Sequence, residues 1–109
     1  MERELIRGNL NLLILTLLHG GPLYGLQIAK QLGMLVDDAE ARISYGSVYP
    51  ALHRLEQQAL IQGTSLPSAE GARPVRQYSL TPAGNAELTR LQTAQLDFIR
   101  QLKALWGES

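Results

Sequence analysis

The stretch Ser44-Tyr45-Gly46-Ser47-Val48-Tyr49-Pro50-Ala51-Leu52-His53-Arg54-Leu55-Glu56 decides the fold. Val48, Leu52 and Leu55 recur at helical spacing and Ala59 prolongs the stripe, so the segment reads as a helix with one buried face. Two serines compete for its start, because either hydroxyl can cap free backbone N–H groups. With Ser47 as N-cap, Pro50 sits at the third helical position, where its missing N–H loses nothing. With Ser44 as N-cap, Pro50 lies deeper and disturbs the first turn. The helix ends near Gln58, and Tyr49, His53, Arg54, Glu56 and Gln57 point away from the stripe.

Upstream, Leu10, Leu13, Ile14, Leu17 and Leu18 fall at helical spacing, and Leu12 and Leu15 widen their stripe. This predicts a helix over residues 4–18 that is buried on more than one side. Gly20-Gly21-Pro22 ends it. A second helix is predicted over 23–32, with Leu23, Leu26, Ile28, Ala29 and Leu32 inward and Gly33 just past its end. An acidic loop with Asp37, Asp38 and Glu40 follows.

Downstream, the period changes. Residues 60–65 and 75–80 read as two short strands joined by a long loop from Pro67 to Pro74, a β-hairpin. Thr81-Pro82 marks the last helix, with threonine as N-cap and proline at the first position. That helix can run to Trp106. Leu88, Leu91, Gln95, Phe98, Leu102 and Leu105 alternate by three and four, a heptad seam with one polar member. So long a helix cannot pack fully on so small a domain, and its seam is expected to meet the same helix of a second subunit.

Composition sets the limits. With 109 residues, the chain fits one modest core and has no room for a separate catalytic domain. Lys plus Arg is 10 and Asp plus Glu is 10, so a whole-chain basic footprint is absent. There is no cysteine, which removes disulfide scaffolds, cysteine-ligated zinc and thiol catalysis. The apolar run 10–18 is interrupted by Asn11 and Thr16 and falls short of the roughly 20 residues of a membrane span. Glu2 and Glu4 beside Arg3 and Arg7 do not resemble a secretory leader. A cytoplasmic protein without a membrane partner is expected. His19 and His53 are too far apart and too poorly accompanied for a metal site, and neither metal nor cofactor is expected. No nucleophile elbow, catalytic carboxylate pair or phosphate loop occurs, so no enzyme is expected.

Three helices, a hairpin and a long terminal helix make a mainly α fold with a small β-hairpin: a winged helix-turn-helix followed by a C-terminal dimerisation helix. The expected division is a DNA-binding domain over 1–81 and a dimerisation helix over 82–109. The segment 44–56 is similar to the recognition-helix signature of PadR-type transcriptional regulators. Leu13-Ile14-Leu15-Thr16-Leu17-Leu18 resembles that family's first helix, and Gly21-Pro22-Leu23-Tyr24-Gly25-Leu26-Gln27-Ile28 resembles the start of its second. Tyr78-Ser79-Leu80-Thr81-Pro82-Ala83-Gly84 resembles its junction from wing to last helix. The resemblance covers roughly 10–88 and points to the compact members with a single C-terminal helix. Ala59 departs from it, replacing the glycine common before the Leu-Ile pair; in a left-handed conformation it would cost about 1 kcal/mol. Val75 and Gln77 stand where basic wing residues are usual.

The resemblance implies double-stranded DNA as partner, with the recognition helix and wing as contacts. Small residues at a helix N-terminus allow close approach to the major groove, and free N–H groups there meet phosphate. Ser44, Gly46 and Ser47 suit that role, and Tyr49 offers a hydroxyl on a stiff stem. Arg54 and Tyr24 suit phosphate, and Arg73 and Arg76 on the wing suit a minor groove or the backbone. The plainer reading of the serines and tyrosines is capping and packing, and of the arginines a solvated turn. A homodimeric repressor on a pseudo-palindromic operator is the expected function. Some compact relatives bind flat hydrophobic compounds between subunits, and Leu10, Leu13, Leu17, Phe98 and Trp106 could line such an effector space. Dimer contacts are expected from Leu91, Gln95, Leu102 and Leu105. The alternative is a winged-helix interaction module or small-molecule sensor without DNA binding. A DNA binder should gather Lys30, Arg42, Arg54, Arg73 and Arg76 on one face.

Overall fold

A computed structural model describes residues 1–36, 45–67 and 74–108. In chain order the elements are α1 (Arg3–Gly8), α2 (Leu10–His19), β1 (Leu23–Tyr24), α3 (Gly25–Met34), α4 (Tyr45–Gln57), β2 (Ile61–Leu66), β3 (Val75–Leu80) and α5 (Pro82–Leu105).

The expected first helix is two. Asn9 leaves helical geometry at φ −125° and ψ 26°, and its side-chain amide donates to the Leu5 carbonyl over 2.8 Å. A side chain that claims a backbone carbonyl competes with the helix, and Gly8 beside it weakens the turn further. Beyond the break, Ile14, Leu15 and Leu18 of α2 form one buried cluster with Ile28 and Leu32 of α3 and Val48, Leu52 and Leu55 of α4.

The second helix begins two residues later than expected. Leu23 and Tyr24 are extended and pair antiparallel with β3, Leu23 opposite Tyr78 and Tyr24 opposite Gln77. The expected two-stranded hairpin is therefore a three-stranded sheet in the order β1-β3-β2. The Tyr24 N–H donates to Gln27 Oε1 at 2.8 Å and closes the first turn of α3. Leu26 is exposed rather than inward, and Gly33 lies within the helix, which Leu35 ends.

The helix α4 starts at Tyr45, so Pro50 lies inside it and not near its third position. Ser44 itself falls outside the described residues. At the other end Ala59 adopts φ +59°. Its N–H bonds to the Glu56 carbonyl, and the Leu60 N–H bonds to the Leu55 carbonyl, both at 3.0 Å. This is a Schellman ending with alanine in the position glycine favours. Ala59 thus leaves the inward stripe, and Ala51 completes it.

Thr81 binds three elements together. Its hydroxyl accepts from Gly84 N at 3.0 Å and donates to the Ala59 carbonyl at 2.6 Å, while its N–H donates to the Leu60 carbonyl at 3.2 Å. A Cβ on Gly84 would stand 1.9 Å from the Leu60 oxygen, so only glycine admits this approach. The Leu-Thr-x-x-Gly junction is a hydrogen-bonded corner between the end of α4, the sheet and α5. From there α5 runs 24 residues, about 36 Å, and packs on α2 through Leu88 and Leu91. Among the described residues no helix is long and apolar enough to cross a membrane.

Candidate nucleic-acid interface

The helix α4 buries Val48, Ala51, Leu52 and Leu55 and leaves Tyr49 43% exposed. Ser47 is half-buried near the helix start. Gly25, at the head of α3, explains where Tyr49 lies. A Cβ on Gly25 would come within 3.0 Å of Tyr49 Cε1 and 3.4 Å of Tyr78 Cε2. The missing side chain lets the recognition-helix ring lie against the start of α3 and the central strand. Tyr24, Gly25, Leu26, Tyr49, Pro74, Val75, Arg76 and Tyr78 line one open groove of about 380 Å³. The first turn of α3, the exposed face of α4 and the wing strand therefore meet at one surface.

Tyr78 is the floor of that surface. It is 6% exposed, and burial pushes its hydroxyl above the ordinary tyrosine value against the opposing pull of Arg76. It stays a neutral phenol at neutral pH. The Arg76 guanidinium stacks over the ring, 5.9 Å from its centroid, within cation–π range. Arg76 also donates through Nε to Glu56 Oε1 at 3.3 Å, through NH2 to Glu56 Oε2, and through NH1 to Ser65 Oγ at 3.1 Å. Hydrogen bonding to Glu56 holds its pKa above the ordinary arginine value.

The expected site residues thus divide. Tyr24, Tyr49 and Arg76 come together in the groove. Arg54 does not join them. It lines a second cleft of about 370 Å³ with Arg7, Asn9, Asn11, Glu87, Arg90 and Gln95, between the N-terminal helices and α5. Ser44, Arg73 and Arg42 lie outside the described residues, and Lys30 is exposed on α3. Sequence reasoning missed Glu56, Ser65, Gly63 and the structural role of Gly25. Glu56 and Arg76 are twenty residues apart on a helix and a strand, and no periodicity links them.

The expected dimer and effector residues also divide. Leu10, Leu13, Leu17 and Leu91 are half-buried against the chain's own core. Gln95 and Leu102 are half-buried on α5, whereas Phe98, Leu105 and Trp106 are exposed. Leu96 and Ile99 are exposed as well.

Comparison with known proteins agrees with this geometry. The model of the transcriptional regulator PadR-like family matches residues 14–90. The transcriptional regulator Rv3488 of Mycobacterium tuberculosis is 40% identical over 68 residues, which are 62% of this chain and 60% of that protein. The chain thus matches somewhat under two thirds of that relative's length. A PadR family transcriptional regulator from Eggerthella lenta superposes with a TM-score of 0.81 at 27% identity, covering 94% of this chain and 86% of the other. Bacillus subtilis PadR, solved in complex with operator DNA, superposes with a TM-score of 0.65 at 25% identity, covering 76% of this chain and 46% of that one.

Proposed function

The chain belongs to the PadR-like family of transcriptional regulators, and from that premise we propose that it is a repressor that binds a pseudo-palindromic operator as a homodimer and answers to a flat hydrophobic effector. The observation that carries DNA binding is the convergence of Tyr24, Tyr49 and Arg76 on one groove between recognition helix and wing. The solved complex of Bacillus subtilis PadR with operator DNA supports it. Tyr49 presents a hydroxyl to a phosphate or base edge from the exposed face of α4, and the N-terminal turn that holds Gly46 and Ser47 enters the major groove; by sequence Ser44 is assigned the same role. Tyr24 meets phosphate beside Tyr49, and by sequence Arg73 is assigned a DNA contact as well. Residues 1–81 carry this surface, and 82–109 pair the subunits. The exposure of Phe98, Ile99, Leu105 and Trp106 supports both pairing and an effector space between subunits.

A second reading, an interaction module or sensor without DNA binding, is favoured by one observation. The two described arginines of the expected set do not share a face: Arg54 lies in the other cleft, and Arg76 is paired with Glu56. In vitro selection from a random duplex library with the full chain separates the two. Recovery of a two-fold symmetric sequence, bound tightly and with a steep salt dependence, supports the repressor reading. Tyr49→Ala then weakens binding to that duplex about tenfold without changing oligomeric state. No enrichment and no binding at low salt leaves the second reading.

A further inference from the structure

We propose that Arg76 and Glu56 form a strut that sets the wing against the recognition helix, so that Arg76 positions the DNA-binding surface instead of contacting phosphate. The inference rests on the DNA-binding reading above and assigns one of its residues a different part.

All three guanidinium nitrogens are engaged within the chain. Nε and NH2 take the two oxygens of Glu56, and NH1 takes the Ser65 hydroxyl on the neighbouring strand. A fork on a carboxylate fixes the plane of the group as well as its distance, which a single-point ammonium cannot do. The same guanidinium lies over the Tyr78 ring, so its face is engaged too. The crossing needs an opening in the sheet, and Gly63 provides it. A Cβ there would stand 2.6 Å from Arg76 Nε and 2.8 Å from Glu56 Oε1. Three positions on three elements, Glu56 on α4, Gly63 on β2 and Arg76 on β3, are thus shaped around one ion pair.

The pair is open to solvent, with side-chain exposures of 43% for Arg76 and 28% for Glu56. Exposed pairs add little to stability, so geometry is the larger consequence. The pair also cancels its own field. An arginine that keeps its carboxylate releases no phosphate counterion, and the wing gains no net charge from it. The angle of the wing matters because groove contacts on the helix and on the wing must be met together.

The experiment is a salt titration of the full chain, by fluorescence anisotropy, on the duplex recovered by selection. Wild type, R76Q, E56Q, the double variant and the reversed pair E56R/R76E are compared, with oligomeric state and thermal unfolding checked for each. The strut predicts that R76Q and E56Q weaken binding by a similar factor, about fivefold, with the log–log salt slope unchanged. The double variant is no worse than either single one, and the reversed pair recovers most of the loss. A direct phosphate contact predicts otherwise: R76Q flattens the slope by about 0.9 per subunit, and E56Q tightens binding by removing an acid. That outcome overturns the strut alone. A wild-type chain that binds no duplex at any salt overturns the DNA-binding reading and the strut with it.

Discussion

Between Pro82 and Leu91, α5 is fastened to its own chain. Thr81 caps it, Gly84 lies under the Leu60 carbonyl, and Leu88 is 3% exposed in the core. Between Leu96 and Trp106, the same helix carries five large apolar side chains that reach solvent, with Leu105 82% and Trp106 65% exposed. The two halves share one backbone geometry, so helix formation alone does not separate them. The first half is held by contacts within the chain, where Gly84 admits no side chain; the second half leaves its large apolar side chains uncovered by the described residues of the chain. Phe98 and Leu105, like Ile99 and Trp106, are seven residues apart and share a side, whereas Leu96 lies on the side opposite Phe98. On the proposed homodimer reading, stability and assembly fall to different ends of a single helix.

Substitutions can break that contrast. Gly84→Ala should be the most damaging, because the new Cβ meets backbone and not a movable side chain. A loss of more than about 3 kcal/mol in urea unfolding is expected, or failure to fold. Leu88→Ala should cost about 3 kcal/mol through an unfilled core volume, and that loss should not depend on protein concentration. Phe98→Ala should behave differently. Its cost should appear as a rise in the dimer dissociation constant by sedimentation, with apparent melting temperature falling most at low concentration. Equal, concentration-independent losses for Leu88 and Phe98 would erase the distinction between the halves.

Ala59→Gly sharpens the comparison from the other side. Relieving the left-handed alanine at the end of α4 should raise stability by up to about 1 kcal/mol, independent of concentration. The smallest effect belongs to Glu87 and Arg90 in the fastened half. Arg90 donates to both Glu87 oxygens, at 2.5 and 2.8 Å, and this bonding holds the carboxyl below its ordinary value. A carboxyl depressed on folding stabilises the chain above its unfolded value and loses that contribution as pH falls through the folded one. A shallow acid decline in melting temperature is expected, and E87Q should flatten it.

The parts that sequence made legible are those where one residue carries one constraint. Pro82 after Thr81 announced the start of α5, and the left-handed turn suspected at Ala59 is present. The spacing of Val48, Leu52 and Leu55 identified the buried face of α4. Parts that depend on distant partners were not legible. Leu23 and Tyr24 have helix-compatible neighbours, and only pairing with β3 keeps them extended. Asn9 falls inside the helix expected over 4–18, but its amide donates back to the Leu5 carbonyl and the helix breaks there. In the candidate groove, Tyr49 and Tyr24 are legible as polar aromatic side chains, yet Gly25, which lets the Tyr49 and Tyr78 rings approach, carries no chemistry of its own to signal that role. Arg54 shares a helix with Tyr49, but five residues turn it toward a different side of the molecule.

The core contacts of Leu88 and Leu91 make α5 a lever with unequal arms. Its free arm, from Leu91 to Leu105, spans about 21 Å, while the arm back to the corner at Thr81 spans about 15 Å. A tilt of one degree about Leu91 carries the tip through about 0.4 Å and the corner through less. Displacement is therefore geared down, and force geared up, from the exposed tip toward the groove. Tyr24 pairs with Gln77 on the strand that feeds the corner, so the first turn of α3 is joined to the same corner through the sheet.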